Sequence, residues 1–232
     1  PREGPLAPLE ALESNYREGR HLPIAVLDRL AGWPMPETAA EAAQVRQRIQ
    51  TLNIQVLGDM AVFLRGLVQE FDPAIELTMK AGSWTEAQRL LEQELPRRLM
   101  LGLGRPRLED LPDVQEVGGF RQWYRTQEAS LEAERIRRLD QVSREARLWL
   151  QDEVDPAVQH ALLRNDFQTA LDQCPDRLEA PLERFRGTWT GLPREMVDAQ
   201  LQRDLLPGLL ALRQSVRQAW TVLESQLMAW IE

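Results

Sequence analysis

Val45, Ile49, Leu52, Val56, Met60, Phe63, Leu67 and Phe71 follow one another at steps of three and four residues. An α-helix turns once in about 3.6 residues, so this spacing lays all of them along one side of one long helix. A second stretch repeats the pattern with Leu131, Leu139, Val142, Ala146 and Trp149, interrupted by the polar Glu134 and Arg135. A third carries Leu209, Leu212, Val216, Trp220, Leu223, Leu227 and Trp230. Each stripe is a seam that must bury itself against another helix, as in bundles and short coiled coils. At a rise of 1.5 Å per residue, helices of about thirty residues approach 50 Å in length, which predicts an elongated body.

Nothing in the sequence competes with this reading. Alternating runs of β-branched and aromatic residues are missing, as are Asn-Gly and Asp-Gly hairpin turns. Leucine, alanine, glutamate, glutamine and arginine dominate, all good helix formers. The fold class expected is all-α: an elongated helical bundle or a short helical-repeat array built on long amphipathic helices.

Two phrases suggest the repeat. "FDPAIELTMKAGSWTEA" begins at Phe71, and "VDPAVQHALLRNDFQTA" begins at Val154, 83 residues later. In each, an aspartate precedes a proline, Asp72-Pro73 and Asp155-Pro156, as an N-cap acceptor precedes proline at the first helical position. Each pair is therefore expected to turn a corner and start a short helix, ending at Gly82 in one case and near Asn165 in the other. Ser83 and Asp166 would cap the next helix, with Trp84 and Phe167 as wedges and Ser83 to Glu86 forming a capping box. An offset of 81 relates the second long helix to the third, matching Val142 with Leu223 and Trp149 with Trp230. The organisation expected is a helical segment over 1–33, repeat units over 34–104 and 105–187, and a partial unit over 188–232. On this pattern, and because the sequence starts at Pro1, the chain is expected to be a fragment of a larger protein.

Composition excludes several function classes. The formal net charge of −8 argues against general nucleic-acid binding, which needs a positive surface to displace counterions from phosphates. Cys174 is the only cysteine, so no internal disulfide can form, and the cytoplasm is favoured over the periplasm. The most apolar stretch, "NIQVLGDMAVFLRGLVQEF", carries Asp59, Arg65 and Glu70, too polar at its centre for insertion into a membrane.

The residues of catalysis are sparse. His21 and His160 are the only histidines, no Glu-x-x-His pair exists, and no metal or other cofactor is expected. Cys174 lies between Gln173 and Pro175 without a nucleophile-elbow signature, as a structural cysteine does. "LGLGRPR" lacks the Gly-Lys of a phosphate loop and follows no strand. Arg135, Arg137 and Arg138 form a basic cluster, with Glu132, Glu134 and Asp140 at helical pairing distance, as on a solvated helix face.

One segment stands out. In "PRRLMLGLGRPR", Arg97, Arg98, Arg105 and Arg107 flank Leu101 and Leu103, and the glycines and prolines disfavour a continuous helix. Two readings fit: a linker whose leucines tuck into the groove between helices, which is the favoured one, or a loop that grips an acidic or anionic partner, with leucines as anchors and arginines for steering. Trp149, Trp220 and Trp230 fall on the apolar seams and are expected in the core. Trp33, Trp84 and Trp189 sit beside proline or glycine corners, where a ring can lock a junction between helices. The function that fits is a non-enzymatic protein–protein interaction, scaffold or assembly module, with another protein or a copy of itself as partner. The alternative is an extracytoplasmic helical sensory or spacer domain of a membrane protein.

Overall fold

The computed structural model describes residues 6–174 and 191–231. Helices account for the secondary structure, and among the described residues there is no strand. They are α1 (Ala7–Arg17), α2 (Pro23–Ala31), α3 (Ala39–Lys80), α4 (Trp84–Arg89), α5 (Leu95–Leu103), α6 (Gln115–Trp149), α7 (Asp155–Leu163), α8 (Phe167–Gln173), α9 (Arg194–Asp204) and α10 (Leu206–Ile231). One-turn π-helical segments, Leu90–Glu94 and Leu150–Val154, join α4 to α5 and α6 to α7. The fold is all-α, and the three stripes read from the sequence lie on its longest helices.

The chain divides into two compact units, one of Pro1–Gly82 and Glu86–Leu131, the other of Ser83–Thr85 and Glu132–Glu232. In the first unit, Thr38 caps α3 by accepting the Glu41 N–H at 3.4 Å and donating its hydroxyl to Glu41 Oε2 at 2.5 Å. From there the stripe Val45, Leu52, Val56, Met60, Leu64, Leu67, Phe71 and Ile75 is buried on one side of α3. It packs against α1, α2 and α5. Leu91, Leu95, Leu99 and Leu103 repeat every four residues through the π segment and α5 and are buried as well. Gly102 lets α5 approach α3 closely: a Cβ there would stand 2.2 Å from Phe63 Cζ.

One 18-residue window of α3 reaches a mean hydropathy of 1.2. By length and composition this helix could cross a membrane, which corrects the expectation that no stretch qualifies. In the folded unit its apolar side is the side that packs on α2 and α5.

The aspartate-proline corners are also corrected. Pro73 lies inside α3, which runs on to Lys80. Pro156 follows the π turn in unbroken helical geometry, with Val154 at φ −74, ψ −54 and Asp155 at φ −59, ψ −48. A proline in a helix removes one N–H and drives its ring against the carbonyl four residues back. A π turn widens the helix by one residue just where that carbonyl would clash. Accordingly the Asp155 N–H reaches Leu150 O, five residues back, and before Pro96 the Leu95 N–H reaches Leu90 O in the same way.

The true corners come later. Gly82 at φ +83 and Asn165 at φ +57 take the left-handed conformation after α3 and α7. Trp84 and Phe167 then open α4 and α8, and Asp166 caps α8 by accepting the Thr169 N–H at 3.1 Å.

In the second unit, α7, α8 and α9 each pack on α10. The buried residues include Val158, Ala161, Ala170, Leu201, Leu205, Leu209 and Val216. Arg213 on α10 donates to Cys174 O at 2.8 Å, holding a carbonyl at the end of α8. Cys174 itself is fully buried, and that burial raises its thiol pKa.

Candidate interaction surfaces

The basic segment is a helix, not a loop. Arg97, Arg98, Leu101 and Leu103 lie on α5, which ends at left-handed Gly104. Proline is accommodated at the second position of α5, and the four-residue leucine spacing supplies the burial that holds the helix. Leu103 is core rather than an anchor for a partner, while Met100 and Leu101 point to solvent.

The arginines do not converge. Arg98 bonds Glu70 of α3 at 2.6 Å, and Arg105 bonds Asp28 of α2 at 3.1 Å. Arg97 stands 4.0 Å from Glu94, one turn back on its own helix. Two of the four therefore tie the end of α5 to its neighbours. Exposed pairs of this kind each contribute about 0.2–1 kcal/mol.

Arg107 lines a cleft of ≈ 520 Å³ in the first unit, with Glu92, Glu109, Tyr124, Arg125 and Glu128 among its walls. Burial and the neighbouring Glu128 push the Tyr124 phenol up to about 12, so it keeps its proton well above neutral pH. Glu92 accepts both bonds from the Gln88 amide, at 2.9 and 3.0 Å. The cleft mixes both signs of charge.

The corner aspartates serve other purposes than capping. Asp72 Oδ1 accepts the Trp123 indole N–H and the Gln127 amide of α6, each at 2.8 Å. Trp123 is braced in turn by Phe120, with ring centroids 5.5 Å apart. Asp155 Oδ1 accepts from Gln159 one turn further along α7 at 3.3 Å. Arg137 and Arg138 both hold Glu134 at 2.7 Å, which brings that carboxyl down to about 2.

A polar knot in the second unit went unread in the sequence. Ser143, a buried polar residue on the α6 seam, donates to Asp204 Oδ2 at 2.5 Å. The Gln200 amide donates to the same oxygen at 2.7 Å and to Ser143 Oγ at 2.8 Å. These bonds hold the Asp204 carboxyl below the usual carboxylate range, the Ser143 hydroxyl contributing most. A carboxylate with a lowered folded pKa adds stability that is complete above its unfolded value near pH 4 and is lost as pH falls through the folded value. Asp204→Asn is therefore expected to flatten the loss of stability below about pH 4. Urea midpoints measured across that range check this, and equal acid slopes for both proteins would show that Asp204 is not the source.

The seam aromatics separate. Trp149 is half-buried, and Trp84 is buried in the second unit; Trp189 lies outside the described residues. On α10, Leu209 and Val216 are fully buried, but Trp220 is 50% exposed, Leu227 56% and Trp230 92%. Trp220 and Trp230 are thus corrected from core to surface. Trp220 meets Phe167 edge-on, with ring centroids 5.0 Å apart. Beyond it the same stripe continues with Leu223 part-buried and Leu227 and Trp230 exposed.

No cluster of three or more histidine, cysteine, aspartate or glutamate side chains suited to a metal ion occurs among the described residues. No protein-family model, curated protein or solved structure matches the chain.

Proposed function

We propose that this chain is a non-enzymatic protein–protein interaction module, with α10 as its docking element. The observation that carries the reading is the continuity of the α10 stripe. In its first half Leu209 and Val216 are buried in the second unit, and in its second half Trp220, Leu227 and Trp230 are exposed on the same helical face, with Leu223 part-buried between them. Tryptophan and leucine on one helical face are what a helix-in-groove or helix-pair contact uses as anchors.

The test is a substitution confined to the exposed half. Leu227→Gln with Trp230→Gln should abolish capture of a purified binding partner, a loss of more than about tenfold in affinity for two removed anchors. The thermal midpoint should stay nearly unchanged, because neither side chain is in the core. Undiminished capture by the double variant would refute the reading.

A further inference from the structure

We infer that the exposed half of the α10 stripe pairs with the same stripe of a second copy of this chain. This rests on the proposed role of α10 and names its occupant. Trp220, Leu223, Leu227 and Trp230 are spaced three, four and three residues apart, the alternation that two helices packed side by side require. Over Trp220–Trp230 the helix is about 15 Å long, enough for these successive apolar layers.

Charge narrows the occupant. From Gln218 to Trp230 the only ionisable side chain is Glu224. Such a surface has nothing with which to steer an acidic or a basic partner. It is complementary to a neutral apolar helix, and a copy of itself supplies one through a two-fold contact in which each patch meets its own image.

Area points the same way. A buried aromatic covers about 150–250 Å², and Trp230 has almost all of its side chain available. With half of Trp220, half of Leu227 and the flanks of the stripe, each copy offers on the order of 500 Å². Two copies would bury about 1,000 Å², the lower edge for a specific interface, so the pair should be a weak, reversible one. Val222 and Met228 are also exposed, at 57% and 56%, but they lie on other sides of α10 and are outside the contact.

Sedimentation equilibrium of the purified chain, from low to several hundred micromolar, tests the inference. The apparent mass should rise from 26.7 kDa towards twice that value with concentration. Leu227→Gln with Trp230→Gln should remain at the single-chain mass throughout, with unchanged helical circular dichroism. Val222→Gln with Met228→Gln should self-associate as the unsubstituted chain does. A single-chain mass for the unsubstituted protein at every concentration overturns the inference, while leaving α10 free to dock another protein. Equal self-association by the Leu227 and Trp230 variant, or its loss in the Val222 and Met228 variant, also overturns it.

Discussion

Asp72→Ser is expected to destabilise the first unit by about 2–3 kcal/mol, far more than its half-buried, mid-helix position suggests. The carboxylate accepts two bonds from α6, the indole N–H of Trp123 and the amide of Gln127, each at 2.8 Å. A hydrogen bond to a charged acceptor contributes about 1.5–3 kcal/mol, and a donor left unpaired in a half-buried place loses its hydration as well. Serine is too short to span the gap between helices. Asparagine keeps an acceptor oxygen in the same position without the charge, so Asp72→Asn should cost about 1 kcal/mol. This order separates two roles. An N-cap aspartate tolerates serine and asparagine alike, because all three side chains can accept a backbone N–H at that position. Urea midpoints of the two variants give the comparison, and solvent exchange of the Trp123 indole proton reports the bond directly. Equal and small effects of serine and asparagine would mean that the contact to α6 contributes nothing.

The same residue shows where the sequence was legible and where it was not. The long helices could be read because their evidence is local: three- and four-residue spacing on α3, α6 and α10 needs no knowledge of the neighbours. Asp166 could be read as a cap for the same reason, since its bond to the Thr169 N–H lies within one turn. Thr38 and Glu41 carried an equally local signal at the start of α3. The corner at Asp72-Pro73 could not be settled locally. Proline in a helix interior costs about 3 kcal/mol, which favours a break. Phe71 and Ile75, however, continue the buried stripe of Leu67 across the proline, and burying one such side chain contributes about 1.5–3 kcal/mol. Tertiary packing outweighs the local penalty. At Pro96 and Pro156 the conflict is relieved by a π turn instead, a solution that leaves no composition mark.

The candidate site was less legible than the fold. Around Arg97 and Arg98, two glycines and two prolines drew attention away from Leu91, Leu95, Leu99 and Leu103, whose four-residue spacing marks a buried helical edge. Trp220 and Trp230 followed the same rule as Leu209 and Val216, and periodicity alone cannot say which part of a stripe its own chain covers. The stripe was visible, but its division into a buried and an exposed half depends on where α7 and α8 end beside it. For Ser143 and Asp204, separated by 61 residues, only the packing of α6 on α9 brings hydroxyl and carboxylate together.

Gly102→Val should be the more damaging of two substitutions that look alike on paper, destabilising the first unit by about 3 kcal/mol, whereas Gly58→Val should change it by less than about 1 kcal/mol. Both glycines lie in helices, and neither has a left-handed backbone. A Cβ at Gly58 meets nothing within 4 Å, while one at Gly102 would stand 2.2, 2.5 and 2.7 Å from three atoms of the Phe63 ring. Those distances are far inside van der Waals contact, so either the ring or the helix must move. Overpacking of a fitted contact costs about 1–3 kcal/mol, and valine, which adds three carbons where hydrogen stood, belongs at the upper end. The gain in helix propensity over glycine, a few tenths of a kcal/mol, offsets little of this. The cause can be isolated with Phe63→Ala. That change alone loses part of the ring's burial, but in its presence Gly102→Val should cost less than about 1 kcal/mol, because the atoms it would strike are gone. A coupling of about 2 kcal/mol between the two positions, read from urea midpoints of the four proteins, is the expected result. Simple additivity would mean that α5 shifts as a body to admit the valine, and that the close approach of α5 to α3 is not fixed by Gly102.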